Sequence, residues 1–310
     1  MMKRFGLWLA WIGLISLGYY TFTQLQAIKQ AQQKFVEYNE LPQGSTVNAI
    51  AIDLPDSMYF AGERVPLEIE DVRERLDREM HINAYWHTNT IFLLKRAHRW
   101  LPQIANVLKE EGVPADFKYI PAIESAFLND ISAKSAVGFW QFRKDAAREY
   151  GLEVSRQVDQ RYDPIKSTRA ASKYLSKAYH KFGNWTLVAA SFNRGRAGII
   201  RALDDQKVDS YYDLMLNDET SRYVFRILAA KEIIEHPHRY GFQVSEDQLY
   251  DVEPVKYLKI SKNIDNWVDW SKKQGINFKL LKRHNPWIQS DHLTVSAGKE
   301  YTVAIPIEDE

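Results

Sequence analysis

The chain passes through four regimes of hydrophobic and polar patterning. Residues 5–22 are free of charge and mostly apolar, they come after Lys3 and Arg4, and the next charge is Lys29. Such a length is close to the roughly 20 residues that a helix needs to span a bilayer. The cationic flank should stay cytoplasmic and export the remainder of the chain. Residues 1–23 therefore read as a signal anchor. Ser16-Leu17-Gly18 offers a cleavage site as the alternative, but aromatic residues continue to Phe22 and no A-x-A appears. Residues 24–67 begin polar and Gln-rich, then scatter Pro and Gly without a sustained period, as a linker does. Within them Ile50-Ala51-Ile52 and Met58-Tyr59-Phe60 are candidate short strands packing on the next domain.

From Glu68 the spacing turns helical. Val72, Leu76 and Met80 recur among charges, and Ile91 to Leu94, Trp100-Leu101, Ile104 and Val107-Leu108 continue the pattern. Pro102 is placed to open a helix, and Gly112 to end one. Phe117, Ile120, Ile123 and Phe127 form the apolar face of the segment that carries Glu124, with Pro121 tolerable only in a first turn or a kink. Asp163-Pro164 starts the clearest helix, striped by Ala171, Tyr174, Leu175, Ala178, Tyr179 and Phe182 and stopped at Gly183. Further apolar helices run from Trp185 to Phe192, from Ile199, and from Tyr223 to Ile234. Residues 68–250 thus read as an all-α domain. Residues 251–310 change to strand, two short helices and strand: Val255 to Ile260, the stretches around Trp267-Trp270 and Phe278-Leu281, then Tyr301 to Pro306. The fold class expected is mainly α with a small C-terminal α+β module.

Composition narrows the functional classes. A chain of 310 residues has room for about two domains. With 45% apolar residues, 9 Trp and 17 Tyr it can fill a core. A net charge of +1 gives no field to attract nucleic acid. The absence of cysteine excludes disulfides, thiolate metal sites, a Cys nucleophile and a lipid-modified N-terminal cysteine. His81, His87 and His98 form no metal signature, and neither metal nor cofactor is expected.

The chemistry concentrates around Glu124-Ser125, the turn Gly138-Phe139-Trp140-Gln141-Phe142, and Ala190-Ser191-Phe192-Asn193-Arg194-Gly195. A Glu keeps its proton near neutral pH when its site is apolar and shielded, and can then protonate a leaving oxygen. No second catalytic acid stands close in sequence; Asp130 is the nearest. Substrate-assisted glycosidases need none. In the turn, Gly allows a close backbone approach, Trp offers a flat apolar surface, and Gln both donates and accepts hydrogen bonds. Each motif alone has a plain structural reading: a solvated helix Glu, a turn with a core Trp, a helix C-terminus.

In order and spacing, these residues resemble the lytic transglycosylases, a lysozyme-like family that cuts peptidoglycan, over roughly residues 80–240. Glu124-Ser125-Ala126-Phe127 is similar to the family's E-S-x-F, whose Glu is its sole catalytic acid. The stretch from Ser132 to Phe142 resembles S-x-x-G-A-x-G-L-W-Q-F, Ala190 to Gly195 resembles A-A-Y-N-x-G, and Glu219-Thr220-Ser221-Arg222-Tyr223-Val224 resembles E-T-x-x-Y-V, which closes the cleft. Asp159 to Ala171 resembles D-x-R-x-D-P-x-x-S-T-x-A-A and reads as structural. The resemblance is nearest to the membrane-bound branch D. It implies Glu124 as the catalytic residue, with Ser132, Trp140, Gln141, Phe192, Asn193 and Glu219 binding substrate. It also implies peptidoglycan glycan strands as partner, contact with the membrane through the N-terminal segment, and a location in the cell envelope facing the periplasm. Protein partners are not indicated.

Residues 255–306 resemble a degenerate LysM module, a glycan-binding unit, with Asn263-Ile264-Asp265 where Gly-Asp-Thr usually opens it, a departure that favours a structural appendage over a glycan-binding one. Other departures lie near the expected site. Phe192 replaces a Tyr, Ser135 a Gly, no Pro follows the W-Q-F element at Arg143-Lys144, and the loop from Glu124 to Ser132 is about one residue short. The implied reaction cleaves the bond between N-acetylmuramic acid and N-acetylglucosamine and leaves a 1,6-anhydro end. A hydrolytic muramidase and a catalytically impaired glycan-binding scaffold are the alternatives.

Overall fold

The computed structural model describes residues 22–26, 29 and 50–307. The anchor reading of residues 1–23 and most of the linker reading fall outside the described residues. Among the described residues no helix is long and apolar enough to cross a membrane.

Residues 52–307 form one compact unit. It opens on a hairpin of two-residue strands, β1 (Tyr59–Phe60) and β2 (Glu63–Arg64). Their turn places Ala61 and Gly62 at φ 51° and 83°, the paired positive φ of a tight hairpin. Met58, Phe60, Val65 and Leu67 are all buried in the helical core. Phe60 meets Phe117 edge-on at 5.1 Å between ring centres. The linker expected over 24–67 therefore gives way to core-forming chain by residue 58. Met58 and Phe60 pack on the helical core as the candidate strand there implies, while Val65 and Leu67 follow with no period to announce them. Ile50-Ala51-Ile52 forms no strand.

Helix α1 (Glu70–Tyr85) buries Val72, Leu76, Met80 and Ala84 and packs along α8 (Asp218–Glu235). Glu79, almost fully buried, pairs with Arg222 of α8 at 2.6 Å. Helix α2 (His87–Glu110) runs straight through Pro102, where the sequence pattern predicts a helix start. Pro102 and the preceding-turn residue His98 are both exposed. The missing hydrogen bond thus lies on the wet face, while Leu94, Ala97, Ile104 and Leu108 bind the helix to the core across it. Pro121 sits in the first turn of the short α3 (Ile120–Ser125). Helix α4 (Lys144–Glu149) precedes α5 (Pro164–Phe182). The Asp163 carboxylate caps α5 through Ile165 N and Lys166 N at 3.1 and 3.0 Å, and Gly183 ends it at φ 64°.

Helix α6 (Trp185–Arg194) lies at the centre, packed on α5, α7 (Arg196–Gln206) and α8, and buries every residue from Thr186 to Ser191. Its N-terminus is satisfied twice. Asn184 accepts from Leu187 N at 2.8 Å, and Glu63 on β2 accepts from Trp185 N, Thr186 N and Thr186 Oγ1 at 2.6, 2.9 and 2.7 Å. A hairpin distant in sequence thereby fixes the helix that carries Phe192 and Asn193.

The C-terminal module pairs β3 (Val255–Ile260) antiparallel with β4 (Tyr301–Pro306), Val255 opposite Pro306 and Ile260 opposite Tyr301. Between them lie α9 (Trp267–Lys273) and α10 (Phe278–His284), capped by Asn266 and Asn277. Trp267, Leu281, Trp287, Ile288, Val303 and Ile305 form its core, joined by Val158 from outside the module. Asn285, buried, spans to β4 with both ends of its amide, donating to Ala304 O and accepting from Ala304 N at 2.7 Å each. A cavity of about 500 Å³ opens beside the module, lined by Trp100, Asn129, Lys166, Tyr257, Arg283 and Trp287.

Replacing Glu63 by Ala should lower stability by about 1–3 kcal/mol, because it strips acceptors from three donors at the start of α6. Urea denaturation of the variant beside the parent chain measures the loss.

Candidate active site

Glu124 stands at the end of α3, and the turn after it is unusual. Ala126 and Phe127 both take left-handed backbone, at φ 49° and 57°. Such a conformation costs a non-glycine residue about 1–2 kcal/mol, so other forces must hold it. Ala126 N and Phe127 N bond back to Ala122 O and Pro121 O at 3.1 and 3.3 Å. Phe127 is buried. Two arginines clamp the turn: Arg96 of α2 donates to Ala126 O, and Arg226 of α8 to Ile123 O, each at 2.6 Å. Ser125 Oγ lies 3.1 Å from Phe139 O, which fastens the Glu-Ser pair to the Gly-Phe-Trp-Gln turn.

The turn itself is built to a tight specification. Gly138 has φ 76°, and a Cβ there would stand 2.1 Å from Arg161 O; only glycine fits. Arg161 also donates to Phe142 O and Ser135 O at 3.2 and 3.3 Å, while its Nε and Nη2 engage Asp159 at 3.0 and 2.7 Å. Both residues of this pair are buried. The segment from Asp159, structural by its sequence, is thus the backing of the loop. Ser135, standing where the family pattern has Gly, adopts φ 58°. It keeps the left-handed geometry on an exposed position at the price of strain.

The predicted substrate-binding residues take different places. Gln141, half-buried with φ 48°, donates from Nε2 to Gly138 O and Asp130 O at 2.8 and 3.2 Å. Ser132, exposed, accepts from Ala136 N at 3.0 Å and closes its own loop. Trp140 offers no surface to a ligand: it is fully buried, and its indole N–H donates to Thr168 Oγ1 at 2.9 Å. Its expected flat binding face is core, because the turn points the ring inward against Phe192, with ring centres 5.8 Å apart. Phe192 also meets Phe142 and Tyr174 edge-on. Asn193 donates to Glu219 at 3.1 Å and accepts from Thr220 Oγ1 at 2.8 Å. Glu219, exposed, lies 3.8 Å from Lys134.

The hydroxyl at the acid comes from a residue outside the expected site set. Tyr223, fully buried on α8, donates to Glu124 Oε1 at 2.5 Å. Burial pushes the Glu124 carboxyl above its ordinary range, and the charge of Glu219 adds to the rise. The Tyr223 hydrogen bond and the Arg226 charge oppose it without cancelling it. Glu219, Tyr223 and Arg226 are spaced i, i+4, i+7, so one face of α8 presents all three to the acid. That spacing was the available signal. Among the described residues, no group of three or more His, Asp or Glu is arranged to hold a metal.

A half-buried acid with its pKa raised, beside a Gly-aromatic-Gln turn, is the arrangement expected of a single general acid. Residues 103–214 match the family model for the transglycosylase SLT domain. The chain carries an SLT transglycosylase domain. Residues 256–309 match the C-terminal LysM-like domain of soluble lytic transglycosylases. The lysozyme-like helical fold class and the LysM-like module read from the sequence are both present. The chain is 26% identical over 264 residues to membrane-bound lytic murein transglycosylase D of Escherichia coli K12, covering 80% of this chain and 55% of that protein. It is 32% identical over 114 residues to a putative tributyltin chloride resistance protein of Alteromonas, covering 36% and 55%. The chain thus spans about half the length of these curated relatives. An inactive variant of the lytic transglycosylase Slt of Pseudomonas aeruginosa aligns over 60% of this chain and 36% of its own, at 20% identity and a TM-score of 0.39.

The raised acid of the SLT domain has a consequence for stability. A carboxyl whose folded pKa exceeds its unfolded value contributes fully below the unfolded pKa, and that contribution fades as pH rises through the folded value. At pH 7 the unfolded chain therefore gains more from releasing this proton than the folded chain does, and the group weakens the fold there. Glu124→Gln should melt at a higher temperature than the parent chain at pH 7, and the difference should vanish below about pH 4. Thermal melts across that pH range check the sign.

Proposed function

We propose that the protein is a peptidoglycan lytic transglycosylase that cleaves the β-1,4 bond from N-acetylmuramic acid to N-acetylglucosamine and leaves 1,6-anhydro ends. The observation that carries this reading is the raised, half-buried carboxyl of Glu124 within the SLT domain. Protonated Glu124 gives its proton to the bridging oxygen, and the muramic C1–O bond breaks with its electron pair staying on that oxygen, which leaves as the 4-hydroxyl of N-acetylglucosamine. The muramic N-acetyl oxygen stabilises the charge at C1. Glu124, now a carboxylate, takes the proton of the C6 hydroxyl as that oxygen bonds to C1. Proton and bond counts balance without water, metal or cofactor, and the tethered hydroxyl competes well with bulk water through proximity.

Tyr223 orients the carboxylate formed midway, and Asn193 with Glu219 shapes the rim. Gln141 and Ser132 act through the loop they close, with their exposed edges toward the glycan; Phe192 contributes apolar surface. The left-handed Ser135 and the Tyr223 hydroxyl support a working site over an impaired scaffold, since the loop geometry and a donor to the acid are both retained. The resemblance to a membrane-bound relative supports a place in the cell envelope, with residues 5–22 as the anchor and the SLT domain facing the periplasm.

Purified protein should release anhydro-muropeptides from sacculi, identified by mass spectrometry, and Glu124→Gln should release none while still binding sacculi. Equal background release by both chains overturns the enzyme reading, and reducing ends without anhydro products overturn the transglycosylase chemistry. Tyr223→Phe removes a bond that favours the carboxylate, so the alkaline limb of the activity profile should move to higher pH. Its rate at the optimum should fall on the order of tenfold, the worth of one hydrogen bond to a charged group.

A further inference from the structure

The LysM-like module meets the SLT domain at Arg99, at Lys166 and along residues 153–160, and the last of these segments backs the loop beside Glu124. Val158 pairs antiparallel with Ile288 and is buried in the module's core. On either side, Asp159 N donates to Trp287 O and Gln289 N to Gln157 O, both at 2.9 Å. The Gln157 side chain accepts from Thr294 N at 2.9 Å and donates to Thr294 Oγ1 at 3.3 Å. Glu153 takes Lys299 Nζ at 2.6 Å and the Tyr301 hydroxyl at 3.1 Å, and it is tied to Gln160 by two backbone-centred bonds of 2.9 Å. Residues 153–160 are therefore held on the module as an extra hairpin.

The same hairpin leads directly into the catalytic loop. Asp159, whose N–H rests on Trp287 O, holds Arg161 with both carboxylate oxygens. Arg161 holds the carbonyls of Ser135 and Phe142, and its own carbonyl abuts Gly138. Phe139 O, between those anchors, meets Ser125 Oγ. Every link from Trp287 to the residue beside Glu124 is a polar contact or a close backbone approach, and the central pair is buried where such bonds are strong.

We propose that the LysM-like module is a brace for the catalytic loop, and that Gln157, Asp159 and Arg161 are positioning residues that set Glu124 against the glycan. The catalytic part rests on the proposed lytic activity; the mechanical part does not. Gln157 is the residue to test. It is half-buried, lies outside the catalytic and binding set, and bonds the module through its side chain. In the full chain, Gln157→Ala should leave sacculus binding and KM unchanged and lower kcat about fivefold, the pattern of a lost transition-state alignment. Amides 137–141 should exchange with deuterium about fivefold faster while α8 is unaffected. Gln157→Glu keeps the acceptor for Thr294 N and should restore most of both.

Unchanged exchange at residues 137–141 in Gln157→Ala overturns the brace. Faster exchange with unchanged kcat overturns its catalytic role. If the parent chain releases no muropeptide, the lytic reading fails, and the exchange measurement still decides the brace. A fall in kcat with an equal rise in KM, or one that Gln157→Glu does not recover, would show a general loss of structure and also overturn the proposal.

Discussion

A carboxyl withdrawn from water has its pKa pushed up, and Glu124 is withdrawn by the company of helices rather than by a closed pocket. Tyr223 lies buried against it, Arg226 holds the carbonyl of its neighbour Ile123, and Ser125 fastens it to the facing turn. Desolvation raises its pKa, and one hydrogen bond and one cation restrain the rise. This balance is what the proposed role of Glu124, acid first and base afterwards, calls for. Helix α8 carries the restraining groups, so the packing of α8 on α1 and α6 bears directly on the chemistry.

The second constraint is backbone strain. Ala126, Phe127, Ser135 and Gln141 all take positive φ without being glycine. Strain of this kind persists only where surrounding contacts over-determine the chain, and it gathers at functional sites. Here the contacts are identifiable: Arg96 on Ala126, buried Phe127, Arg161 on Ser135, and Gln141 folded back on Gly138. The two arginines among these groups both have carbonyls as partners. Their planar, permanently charged forks suit that task better than lysine would.

Much of this is legible in the chain itself, and the exceptions share a cause. Helices with long apolar stripes, such as α5 from Asp163-Pro164 to Gly183, and the strand-helix-helix-strand module follow from local pattern. Pro102 departs from its expected place because a helix interior tolerates proline on a wet face when packing spans it. Met58-Tyr59-Phe60 reads as a strand that packs on the helical domain, but the core role of Val65 and Leu67 has no period to betray it. Trp140 reads as a binding surface from its motif, and only the direction of the turn sends it inward. Tyr223 belongs to a motif that reads as a cleft wall, while its position on the acid depends on how α8 crosses α3. Pattern within one element is readable; the meeting of two elements is not.

Val158 has a wider implication. A valine that belongs to one domain by sequence completes the interior of the other in space. The folding unit and the sequence module consequently have different borders. A fragment cut at the start of the module would display an unfilled apolar notch, and a foreign module grafted in its place would need a notch of the same shape. The 153–160 hairpin thus belongs with the module in space, although the rest of the helical domain separates the two along the chain.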